Sequence, residues 1–157
     1  MDKLFIVAVS GRPPAWAGAA CEEYLKRMPR GFETRRMSVK PEARFGAKPL
    51  ERLLAAEALR IRAALPRGAR IVALDERGRD LDTARFAASL RGWLGEAAPV
   101  AFVIGGADGL DAGLKREAAL LLRLSSLTLP HALAQVLLCE QLYRAASLLT
   151  GHPYHRA

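Results

Sequence analysis

All three histidines of the chain, His131, His152 and His155, fall in its last third, together with the run Gly105-Gly106-Ala107-Asp108-Gly109 and the stretch Ser125-Ser126-Leu127-Thr128-Leu129-Pro130. Histidine is the side chain whose ordinary pKa lies nearest neutrality, so His131 and His155 are the candidates for moving a proton. The glycine run directly follows the apolar residues 100–104. Glycines behind a buried strand let backbone come close to a ligand and leave amides free to hold it. After Gly151, which suits a helix C-cap, the tail His152-Pro153-Tyr154-His155-Arg156 offers two imidazoles, a phenol and a guanidinium. Aromatic rings and arginine of this kind stack on unpaired bases and grip phosphates.

Other chemistries lack their parts. The nicotinamide fingerprint requires GxGxxG after the first strand, whereas here the spacing is GGxxG after the fourth, and no Walker motif, HExxH or GxSxG elbow occurs. Cys21 and Cys139 sit in apolar surroundings without ligand spacing, so we expect core thiols and no metal. Lysine and arginine number 24 against 16 acidic residues, a net charge of +8 that favours a polyanionic partner such as nucleic acid. Residues 4–9 are too short for a signal segment, and no run approaches the roughly 18 apolar residues of a membrane helix. The expectation is a soluble cytoplasmic protein.

Positioning these groups requires a scaffold, and its 157 residues suit one domain, residues 1–157. Apolar, β-branched-rich residues 4–9 predict a first strand, followed by a helix from about residue 14 to residue 28 with Trp16 in the core. Residues 32–39 suit a second strand. Residues 40–49, carrying Lys40, Arg44 and Lys48 among Gly and Pro, form a basic loop. A helix follows over residues 50–65, with Leu53, Leu54, Ala58, Ile61 and Leu65 inward and Arg52, Arg60 and Arg62 outward. Residues 70–75 give a third strand and 76–79 a turn. Asp82-Thr83 can cap a helix packing through Phe86, Leu90 and Trp93, residues 100–104 form the fourth strand, and Asp111 caps a short helix through residue 119. Residues 120–124 supply the fifth strand, and a long helix follows His131. Such alternation predicts an α/β fold with a mostly parallel sheet flanked by helices, and ligands at the carboxyl ends of strands, here Ser10-Gly11, Leu74-Asp75, Gly105-Gly106 and residues 125–130.

That last helix is apolar round most of its circumference, with only Gln135, Glu140, Arg144 and Ser147 forming a polar stripe. It must be buried on two sides, and we expect the second side, including Leu138 and Leu142, to meet another copy of the chain.

Four motifs in order, Ile104-Gly-Gly-Ala-Asp-Gly109, Ser125-Ser-Leu-Thr-Leu-Pro-His131, Glu140-Gln-Leu-Tyr-Arg-Ala145 and His152-Pro-Tyr-His-Arg156, together resemble the bacterial large-subunit (23S) ribosomal RNA pseudouridine N3-methyltransferases, small SPOUT-class enzymes. The resemblance covers essentially the whole chain. It implies a C-terminal trefoil knot, a homodimer and S-adenosylmethionine as cofactor, held by Leu74, Gly105, Gly106, Ser125, Ser126, Leu127, Thr128, Leu129 and Pro130. The substrate it implies is a pseudouridine in ribosomal RNA on assembled ribosomes, met by Tyr154, His155 and Arg156, with His131 or His155 as the base. Ala132 and Gln135 depart from the family pattern, at a turn where RNA contacts are otherwise expected. Two other readings belong to different classes: an RNA-binding module without catalysis, and an enzyme using another nucleotide.

Overall fold

The computed structural model describes residues 3–156, with side chains through Tyr154. Its elements follow the order β1 (Leu4–Val9), α1 (Ala15–Leu25), β2 (Thr34–Val39), α2 (Leu50–Ala64), β3 (Arg70–Asp80), α3 (Thr83–Leu94), β4 (Val100–Ile104), α4 (Ala112–Glu117), β5 (Leu120–Arg123), α5 (His131–Thr150) and a terminal 3₁₀ turn, Pro153–Arg156. The five strands form one sheet in the order β2-β1-β4-β3-β5, and each neighbouring pair is parallel.

Successive side chains of a strand point to opposite faces, and here both faces are covered. Leu4, Ile6 and Ala8 of β1 pack with Phe102, α1, α3 and α5, while Val7 and Val9 pack with Val103, α2 and α4. The expected caps form: Asp82 accepts the Arg85 N–H at 2.8 Å, Asp111 accepts the Leu114 N–H at 3.0 Å, and Gly151 is left-handed with φ 74°. Cys21 and Cys139 are free and buried.

Three expectations are corrected. Trp16 is 57% exposed, because α1 turns Ala17 and Cys21 to the sheet instead. Leu138 and Leu142 are fully buried within their own chain, since α5 is wedged against α1, α3 and the sheet; its second buried side is internal. The turn expected over residues 76–79 lies within β3, where Leu74 and Arg79 both stand opposite Leu122, so the residues between them leave the ladder. They run against β5 so closely that a Cβ on Gly78 would lie 2.7 Å from the Leu121 carbonyl group. Only glycine fits there.

Candidate functional site

At the carboxyl ends of β3, β4 and β5 the chain opens a cavity of about 490 Å³. One wall is the glycine run. Gly105 packs so tightly that a Cβ would meet the Gly109 carbonyl oxygen at 2.5 Å; Gly106 and Gly109 form an isolated bridge, and Gly109 has φ 83°. Gly106 is different, for a Cβ there would find only ordinary contact with Val9 at 3.5 Å.

Opposite lies the loop between β5 and α5. Ser125 Oγ accepts the Leu127 N–H at 2.9 Å, a short-range bond that sets the turn and leaves Leu127 75% exposed. Leu74, Gly105, Gly106, Ser125, Leu127, Thr128, Leu129 and His131 all line the cavity, as the sequence suggests. Ser126 is exposed and does not line it, and Pro130 sits at the α5 N-cap outside the lining.

Charged residues that sequence reasoning did not select complete the lining, among them Lys115 and Arg123. Asp75 is nearly buried on its side chain at 8% exposure, and Lys115 Nζ stands 2.8 Å from it. Burial pushes the Asp75 carboxyl up, but Lys115 and the Arg77 N–H, donating at 2.8 Å, outweigh it and hold the group below the usual carboxylate range. An acid at a strand end was the available signal; its partner on α4 was not readable.

His131 opens α5. The Gln135 side-chain nitrogen lies 2.9 Å from His131 Nε2, and since an amide nitrogen donates, the imidazole accepts there and carries its proton on Nδ1. Burial depresses the His131 pKa, partly offset by a hydrogen bond to the Gly105 backbone. The ring is thus a neutral brace between the glycine run and buried Gln135.

Among the described residues, the tail does not join this cavity. Tyr154 folds back on α5, its ring 4.5 Å from that of Tyr143, with the Arg144 guanidinium 5.0 Å above it. Its hydroxyl donates to Glu140 Oε1 at 3.3 Å, and burial, with the Glu140 charge, pushes its pKa up to about 12. His155 and Arg156 lie outside the residues whose side chains are described.

Residues 3–155 match the family model described as a predicted SPOUT methyltransferase. The chain belongs to the SPOUT methyltransferase family. Its relatives include the ribosomal RNA large subunit methyltransferase H of Burkholderia multivorans, 56% identical over 155 residues and 99% of both chains. The protein of the same name from Burkholderia cenocepacia is 55% identical over the same share. Among solved structures, a probable methyltransferase from Bordetella pertussis Tohama I superposes with a TM-score of 0.59 at 23% identity, covering 92% of this chain and 95% of that one, and shares the fold. The SPOUT assignment agrees with the parallel sheet and accounts for a ligand cavity built from backbone at strand ends.

Proposed function

We propose that this SPOUT enzyme, a single domain over residues 1–157, transfers a methyl group from S-adenosylmethionine to N3 of a pseudouridine in 23S ribosomal RNA, acting on assembled ribosomes as a cytoplasmic homodimer. The observation that carries the reading is the meeting of the glycine run with Ser125 and residues 127–129 around one cavity, in a chain matching large-subunit methyltransferases over 99% of both lengths. The C-terminal trefoil knot is assigned on the family match over residues 3–155.

The residues present suit the cofactor. A volume of about 490 Å³ suits a ligand of its size, given the usual range of roughly 300–1,000 Å³ for small-molecule sites. The glycine run and the Leu74, Leu127 and Leu129 side chains give close approach and apolar faces. When bound, S-adenosylmethionine supplies a methyl group already made electrophilic by its sulfonium. The chain has to hold the pseudouridine imide nitrogen in line and take its proton. No metal enters this account.

His131 fits a bracing role, because its Nε2 is engaged by Gln135. His155 is then the better candidate for the proton, with Tyr154 and Arg156 to stack and grip the target. Since Tyr154 stands away from its own cavity, we assign the tail to the cavity of the other copy. We assign the exposed apolar residues Trp16 on α1 and Leu133 and Leu148 on α5 to the contact with that second copy.

Isothermal calorimetry with S-adenosylmethionine tests the site. Wild-type protein should bind, and Gly106→Leu, whose side chain would crowd the cavity wall against Val9 and Glu57, should not. Equal affinity in the two would remove the glycine run from the site.

A further inference from the structure

The basic loop, residues 40–49, carries Phe45 at 81% exposure, the most exposed large apolar side chain among the described residues. The loop around it is tied down without using the ring. Glu42 holds Arg60 at 2.6 Å and Lys48 at 3.4 Å, and Arg60 also donates to the Lys40 carbonyl at 2.8 Å. Two further ties register the loop against the cavity wall. Arg44 Nε donates to Asp108 Oδ2 at 2.9 Å, and Asp108 lines the cavity. The Glu42 N–H donates at 2.9 Å to Glu57, a side chain only 2% exposed on the inner face of α2. The other Glu57 oxygen is buried without a hydrogen-bond partner, 4.0 Å from where a Cβ on Gly106 would stand.

An anchored loop that presents a bare aromatic ring beside cations has the composition of a base-stacking platform. We propose that Phe45 stacks on an unpaired base of the RNA next to the nucleotide that enters the cavity, with Lys40 and Lys48 on the adjoining phosphates. Position supports this, since Phe45 follows directly on the residue tied to the cavity rim. Charge selects the occupant: Lys40 and Lys48 flank the ring in a chain of net charge +8, and RNA brings phosphates of the opposite sign. The inference rests on the methyltransferase reading above and adds a contact separate from the tail.

Phe45→Ala and Phe45→Trp test it, both at a site too exposed to disturb the core. Affinity for intact ribosomes is measured by fluorescence anisotropy of dye-labelled protein, and methyl transfer by steady-state kinetics. Phe45→Ala should weaken ribosome binding and raise the KM for ribosomes about tenfold, with kcat and cofactor affinity unchanged, and Phe45→Trp should restore both. Unchanged binding in Phe45→Ala overturns the proposal, as does a tryptophan variant no better than alanine. So does loss of the dimer in Phe45→Ala by light scattering, which would make the ring a contact between copies. If the wild type binds ribosomes through Phe45 but transfers no methyl group, the platform stands and the methyltransferase reading fails.

Discussion

The cavity and the tail are two ends of one chemistry built in opposite ways. The cavity is made of backbone: Gly105 folded onto Gly109, Gly106 left bare, and a loop turned by the Ser125 hydroxyl. Tyr154 instead depends on side chains, held among Tyr143, Arg144 and Glu140 of α5. Backbone approach tolerates almost no substitution, because an added Cβ meets another main chain. A side-chain cluster loses one contact at a time. Cofactor binding should therefore fail abruptly and RNA engagement by degrees.

Gly105→Ala attacks the backbone end and should have the largest effect. Its Cβ would need the Gly109 carbonyl to move, costing about 1–3 kcal/mol of stability and abolishing cofactor binding, as read by thermal unfolding and calorimetry. Retained binding would show the wall to be pliable and would break the contrast. Removal of residues 154–157 attacks the other end. Methylation of ribosomes should fall about a hundredfold with cofactor affinity intact, if the tail supplies the base and grips the target.

Paired substitutions on α5 sharpen what lies between the two ends. Leu138→Glu should unfold the chain, since an unpaired charge would enter a fully buried site, at a cost of about 3–5 kcal/mol. Leu133→Glu together with Leu148→Glu should keep the fold and yield monomers by light scattering. An unchanged mass would move the interface elsewhere. His131 should give the smallest effect. Its folded pKa lies below the ordinary 6.5, so the unfolded chain takes up a proton more readily. The stability it contributes is complete above pH 6.5 and declines as the pH falls through that value. A His131→Gln variant should lack this decline in urea titrations across the same range.

Apolar runs bounded by Gly and Pro made four of the strands readable, and Asp82, Asp111 and Gly151 announced their helix ends through local bonding. The cavity loops were legible for the same reason, since glycine and serine at strand ends reflect nearby backbone needs. What escaped depends on distant partners. Nothing near Gly78 shows that β5 passes beside it, and Glu57 reads as a polar position on α2 although it lies among Leu53, Ala58 and Ile61. The α5 circumference correctly demanded two buried sides, but periodicity cannot say that α1 and α3 meet the demand within the chain.

The destination of the methyl group is the most direct test of the proposed activity. Intact ribosomes are incubated with the protein and S-adenosylmethionine, and the large-subunit RNA is digested and sequenced by mass spectrometry. A single new methyl group on N3 of a pseudouridine, absent with Gly106→Leu, is the result predicted. Ribosomal RNA left unmethylated by the cofactor-bound wild type, or methylated on another base, would contradict it.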